Sequence, residues 1–499
     1  MDKPTPKNIY FFILLILVAY FLFRLINQGQ MINEFPIDQY ANDYSSHLAK
    51  VFFFDKYGLY NNVPNWYNGT YTLLTFYPFG WYLMTLPIYQ FTGNILLTGY
   101  LSLLLLYLLG FLFLYFFGRT VKLSRFQRVL FFLFFFVNPI AIGYFLRLGK
   151  MPEMFGWVIA ISIASVVFYY KEKPLDKKFL FIIPLYIALF YTHILVFIVA
   201  SLFFLMLFLS RKTVKERIFL ALSWIPILAI TSFFWIPFLK NSSENVVSNY
   251  YSLQWLILPG NMTDKIVSLI IPLVFFSLFF LYWKSHEKDK KELVFFSVPL
   301  VFAFLHFTRI AVFLPLFNRP TPDSYHFFFI FLMIYLVFKI KLDSFSLSFQ
   351  KYFTYALFFA VVLGVIISLT FTPLFQHHSE NIKETFSLLK EVDGKLLVLK
   401  TPPEVFRGAV YSYGAIHYNI STPSGWEPVN ITREYSEQLS LPSRYLEEKN
   451  CDDLKISLIE LDTTNIITFN EYCSFLQECR FTLINKKEHA CLYQLESIL

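Results

Sequence analysis

Charged residues are scarce in this sequence. They make up 15% of its 499 residues, where soluble domains carry roughly 25%, and no soluble core absorbs an apolar share of 56%. Cysteine is absent up to Cys451; all four cysteines, Cys451, Cys473, Cys479 and Cys491, lie near the C-terminus, clear of the apolar runs. That placement fits one or two disulfides in an oxidising compartment, and without CxxC or a Cys/His spacing it gives no zinc site. Also missing are a Walker A loop, GxGxxG after a strand, GxSxG and HExxH, which removes ATP-driven transport, dinucleotide chemistry, serine hydrolysis and zinc proteolysis. The net charge of +8 would point to nucleic acid in a soluble protein. Here the basic residues cluster in short loops between apolar runs, as orientation signals do, so no nucleic-acid partner is expected.

What is present is a series of apolar runs. The short basic segment 1–7 precedes the run 9–23, which no small-residue cleavage site follows, so it reads as a retained first helix with a cytoplasmic N-terminus. Basic clusters at 119–128, 171–178, 211–217, 284–291 and Lys339, Lys341 and Lys351 mark cytoplasmic loops. Between them the runs near 129–146, 153–170, 179–193, 194–210, 218–239, 265–283, 293–308, 325–338 and 352–371 alternate sides. Of the two earlier stretches, 95–117 reads as a span, whereas 73–91 holds Pro78, Gly80, Pro87 and many aromatics and suits an interfacial or re-entrant segment. The expected fold is an all-α polytopic membrane bundle of about eleven transmembrane helices over residues 1–375. Residues 28–93 form its first extracytoplasmic loop, with interfacial helices, and an extracytoplasmic α+β domain occupies 376–499. The 63 Phe and 33 Tyr are read as lipid-facing and interfacial residues. Asn-x-Ser/Thr acceptors at Asn68, Asn241, Asn261, Asn419 and Asn430 fall on the expected outer side.

Ionisable groups near membrane depth are costly and mark candidate sites. Three clusters converge on the outer side. The first, in a loop long enough to be functional, holds Asp38, Asp43, His47 and Lys50 at the start of a capped helix that Gly58 closes. The second is Arg147, Lys150 and Glu153; the third runs from Arg309 to His326 and includes Arg319 and Asp323. A carboxylate there can take a proton from a hydroxyl attacking an anomeric carbon, and Arg or Lys can stabilise a departing phosphate. Each residue also has a structural reading. Asp43 can cap its helix beside His47, Glu153 can cap the next helix behind Pro152, Arg147 and Lys150 can snorkel, and His193, His306 and His326 can be satisfied helix-end residues.

The first helix, the acidic outer loop Asn42-Asp43-Tyr44-Ser45-Ser46-His47, the stretch Gly58 to Trp66 and Tyr77-Pro78 together resemble the GT-C superfamily of multi-spanning glycosyltransferases. The pattern looks most like membrane proteins labelled 6-pyruvoyl-tetrahydropterin-synthase-related. A second piece, Gly118-Arg119 through Arg128, then Asn138-Pro139, Arg147 and Glu153, is similar to the region of the second acidic motif in oligosaccharyltransferase subunits. The resemblance implies transfer of one sugar, a hexose or pentose, from a polyprenyl- or dolichyl-phosphate donor to an extracytoplasmic glycan, lipid or protein acceptor, with inversion. Asp43 and Glu153 would be catalytic, and His47, Lys50, Arg147, Lys150, Arg319 and His326 would bind substrate. Only Glu153 stands where that family often has two acids, which argues against a bound divalent metal without excluding it; no other cofactor is implied. The absence of WWDYG argues against transfer of a whole oligosaccharide. Tyr411, Tyr413, His417 and Trp426 would face the acceptor or form the outer domain's core. A transporter or flippase of lipid-linked saccharide and a non-catalytic membrane subunit are the rival readings. A transporter would carry paired broken helices and charges at mid-membrane rather than at one face.

Overall fold

The computed structural model describes residues 6–37, 42–73, 78–241, 262–308, 310–313, 323–426 and 431–495. Among the described residues, the named elements from Pro6 to Phe371 are all helices, and a four-stranded sheet with further helices follows toward the C-terminus. Among the described residues, five helices are long and apolar enough to cross a membrane: Asn8–Ile32, Ile95–Thr120, Met151–Tyr170, Val214–Ile236 and Leu347–Phe371. The pair Arg125–Phe136 and Pro139–Arg147, bent by 48°, makes a sixth if it is one span. Shorter apolar helices, including Ile194–Ser210, Ser297–Phe307 and Tyr325–Lys339, lie over other runs, so length and apolarity by themselves give five or six crossings against the eleven expected. The stretch read as interfacial forms Gly80–Thr92, a helix of 13 residues containing Pro87; at 1.5 Å per residue it is too short to span.

The bend in the sixth span is satisfied by one side chain. Asn138 donates to the carbonyls of Phe134 (3.0 Å) and Phe135 (2.7 Å) and accepts from the Ala141 N–H (3.0 Å). In an apolar environment the backbone groups freed by a kink need such a partner. Beyond Pro139 the chain widens into the π-helical turn Ile142–Arg147 before Met151–Tyr170 begins. Of the Met151–Tyr170 window 78% is buried, against 11% for Leu347–Phe371. The former therefore runs through the centre of the bundle and carries Glu153 inside it.

Contacts sort the basic clusters onto one face. Lys339 donates to the Val121 carbonyl (2.8 Å), Arg211 to that of Lys173 (2.8 Å), and Lys341 N–H to Ser285 Oγ (3.3 Å), while Lys171 pairs with Glu292. All five clusters meet through these bonds. At the opposite face, buried Arg24 donates to the Ser368 (2.6 Å) and Thr372 (3.0 Å) carbonyls, so a cation on the first helix satisfies the end of the last.

The sheet lies on that second face. Its order is β1 (Leu396–Val398), β2 (Asn465–Phe469), β4 (Ala490–Gln494), β3 (Thr482–Lys486), with β1 parallel to β2 and the other pairs antiparallel. Disulfides join Cys451 to Cys479 and Cys473 to Cys491. The largest apolar core draws residues from both the bundle and the C-terminal region, from Ile9 to Leu492. The C-terminal region also bonds to the first loop: Tyr67 N–H to the Ser424 carbonyl (3.0 Å), Thr422 N–H to that of Asn65 (3.0 Å), and Lys56 Nζ to Asn419 Oδ1 (2.7 Å).

Candidate active site

The helix Asn42–Tyr57 forms where the sequence places it, and Gly58 ends it at φ 75°, its N–H bonded to the Phe54 carbonyl at 3.0 Å. Asp43 stands in the first turn, with His47 one turn later on the same face and Lys50 fully buried below. Tyr44 locks this turn to the loop before Met151–Tyr170. Gly149 has φ 75°, and a Cβ built on it would lie 2.1 Å from Tyr44 Cδ2. Only glycine fits both the left-handed backbone and the ring pressed on it, and the lock brings Lys150 to Asp43.

A hydrogen-bonded chain continues from there. Lys150 Nζ donates to the Tyr144 hydroxyl at 3.0 Å and lies 4.2 Å from the centre of its ring. Tyr144 donates to Glu153 Oε2 at 3.0 Å, and His193 Nε2 stands 3.7 Å from the same oxygen. His193 is the helix-end residue that the sequence predicts, because its Nδ1 accepts the Val196 N–H at 3.3 Å at the start of Ile194–Ser210. With Nδ1 accepting, a neutral ring carries its proton on Nε2, toward Glu153. His47 Nδ1 pairs with the Tyr82 hydroxyl at 3.0 Å, and Trp81 and Tyr82 wall its ring.

Burial pushes the Asp43 carboxyl above its ordinary range; Lys150 and Lys50 pull it back in part, and Glu153 adds to the rise. Burial, with Lys50, His193 and Lys150, holds His47 well below the usual imidazole value, so it is neutral. Burial opposes the charge on Lys150, but Tyr144, Glu153 and Asp43 outweigh it and raise its pKa.

Asp43, His47, Lys50, Lys150 and Glu153 are thus brought together by contact or electrostatic interaction. Arg147 is buried at the end of the turn that carries Tyr144. The ring of His326 lies 6.1 Å from that of His306, and the next residue, Phe327, packs 5.5 Å from Tyr144. Arg319 and Asp38 lie outside the described residues. Tyr144 and Tyr82 were not legible as site residues, since tyrosine is common throughout the chain; the one signal for His193 is that it breaks a long apolar run.

Of the aromatic residues set against the acceptor, Tyr411 is buried, its hydroxyl accepting the Val398 N–H at 3.0 Å, and Trp426 packs on Phe406. Tyr413 stacks on Phe386 at 3.7 Å, and His417 lies 4.2 Å from Tyr413.

No protein-family model and no curated protein sequence matches the chain. Solved structures do match. The mycobacterial arabinofuranosyltransferase AftD, in the R1389S form, aligns with 96% of this chain at TM-score 0.59 and 11% identity. The Archaeoglobus fulgidus oligosaccharyltransferase AglB, solved with an inhibitory peptide and a dolichol-phosphate, aligns with 91% at TM-score 0.54 and 8% identity. The chain spans 41% of the length of AftD and 69% of that of AglB. These neighbours support the superfamily's fold and not the narrower resemblance to the pterin-synthase-related proteins. This chain has the fold of the GT-C membrane glycosyltransferases.

Proposed function

We propose that the protein is a membrane glycosyltransferase that moves a single sugar from a lipid-phosphate donor to an acceptor on the outer side of the membrane, with inversion. The observation that carries this reading is the set of half-buried Asp43 and Lys150 with buried Lys50 and Glu153 at one face of a GT-C bundle. Asp43 is the general base. A carboxylate whose pKa burial has raised is a stronger acceptor for the hydroxyl proton as the oxygen attacks the anomeric carbon. Lys50 and Arg147, with Arg319, offer positive charge to the phosphate that leaves with the lipid. AglB was solved with a dolichol-phosphate, which supports a lipid-phosphate donor here. The face with the basic clusters is cytoplasmic, as positive-inside asymmetry asks, and residues 376–499 form the extracytoplasmic domain.

The test is transfer of radiolabelled sugar from a panel of polyprenyl-phosphate sugars by purified protein in liposomes, with a membrane extract as acceptor source. Wild type is compared with Asp43→Asn, and folding of both is checked. Transfer by wild type alone supports the reading; no transfer from any donor, with lipid-linked sugar moving between leaflets instead, replaces it with the transporter.

A further inference from the structure

Two carboxylates facing a phosphate-bearing donor would ordinarily suggest a divalent ion between them. The donor set at Asp43 and Glu153 does not fit one. His193 turns a protonated Nε2 toward Glu153, since its Nδ1 lone pair takes the Val196 N–H. A metal-bound imidazole does the reverse, ligating with a lone pair and donating its other N–H. Glu153 Oε2 already accepts the Tyr144 hydroxyl. Among the described residues, three ligand atoms from His, Cys, Asp or Glu gather closely only at Glu384, Glu488 and His489, on the C-terminal region. At the Asp43 site a cation is instead built in. The Lys150 ammonium, fixed on Tyr144 at 3.0 Å, interacts with both carboxylates.

We propose that Lys150 occupies the place of a divalent metal in this site, balancing Asp43 and Glu153, with Tyr144 and His193 as the positioning residues that hold Glu153 for it. A fixed ammonium repels a second cation at short range, and its removal leaves two carboxylates without a counter-charge. The inference rests on the transfer reading only for its activity measurement.

The experiment is Mn2+ titration followed by electron paramagnetic resonance, on the full-length protein in detergent. It is run in a Glu488→Gln background so that the C-terminal trio does not contribute. The expected result is no stoichiometric Mn2+ at the site in that parent, a new site in Lys150→Ala, and loss of that site when Glu153→Gln is added. One bound equivalent in the parent that Glu153→Gln abolishes would overturn the proposal, as would a folded Lys150→Ala that gains no Mn2+. In the transfer assay, chelation with EDTA should change the rate by less than about twofold, whereas a loss of about tenfold or more restored by Mn2+ would count against it. If no donor in the panel is transferred at all, the transfer reading falls and the Mn2+ result still decides the inference.

Discussion

Both faces of the bundle bury charged side chains. On the basic face, Lys171 meets Glu292, Arg211 donates to the Tyr170 and Lys173 carbonyls, and Lys339 donates to that of Val121. On the other, Lys50 and Lys150 interact with Asp43 and Glu153. The first arrangement pairs cations with carboxylates and with carbonyl oxygens near helix ends, as structural charges do. In the second, two acids and two bases act on one another, and one acid is left with a raised pKa. Burial of charge therefore does not distinguish a site in this fold; the distinction is that each of these cations of the basic face is met by a carboxylate or a carbonyl, whereas Asp43 keeps a raised pKa although Lys150 and Lys50 partly offset its burial.

The largest effect should come from removing that acceptor. Asp43→Asn is expected to lower transfer by about a hundredfold to ten-thousandfold, the range of general-base catalysis. Stability should move the other way. A carboxyl whose folded pKa lies above its unfolded value contributes stability that is fully present below the unfolded pKa and lost as pH rises through the folded one. At neutral pH Asp43 is a cost, and the neutral amide removes it. Thermal melting at pH 7 should show the Asn variant at least as stable as wild type; a marked drop in melting temperature would make Asp43 a structural charge like those of the basic face.

Much of this contrast was legible in the sequence. The asymmetry of Lys and Arg between the apolar runs separated the two faces, and the acidic loop after the first helix pointed to Asp43. The pairing of Glu153 was not legible, because its partners come from Tyr144, one of 33 tyrosines, and from His193 in a different helix hairpin. The span count resisted for a different reason. Runs such as 179–193 and 293–308 are apolar enough, but the chain breaks them into helices of 11 residues or fewer, Ile182–Thr192 and Lys290–Phe295 with Ser297–Phe307, and hydropathy does not register such breaks.

Next in size is the lock that joins the two halves of the site. In Gly149→Ala the methyl group would meet the Tyr44 ring at 2.1 Å in a left-handed backbone, so either the loop or the helix start must shift. A displacement of about 1 Å between Asp43 and Lys150 is expected to cost about a hundredfold in transfer. Tyr44→Ala in the same chain should restore part of it by making room. A single Gly149→Ala variant with undiminished transfer would show that the register between the two elements does not matter.

A smaller effect should appear in the pH profile. The acid limb of kcat/KM reports the base in the free enzyme, and it should lie above the ordinary carboxyl value of 3.8 because burial raises Asp43. Lys50→Met removes a charge that lowers this pKa, so the limb should move to higher pH; Glu153→Gln removes one that raises it, so the limb should move down. Limbs that stay fixed in both variants would place the titrating group elsewhere.

The smallest effect on transfer is expected on the basic face. Lys339→Met keeps most of the apolar stem of the side chain but removes the donor to the Val121 carbonyl, which lies at the end of Ile95–Thr120. A charged donor to a part-buried carbonyl contributes about 1.5–3 kcal/mol, so unfolding should become easier by an amount of that order. Because Val121 and Asp43 sit at opposite ends of the bundle, the rate per folded molecule should be unchanged. That separation of stability from rate mirrors Asp43→Asn, in which rate is lost and stability is kept. If Lys339→Met instead lowers the rate per folded molecule, charges on the basic face influence the reaction across the bundle, and the division between structural and reactive charge does not follow the two faces.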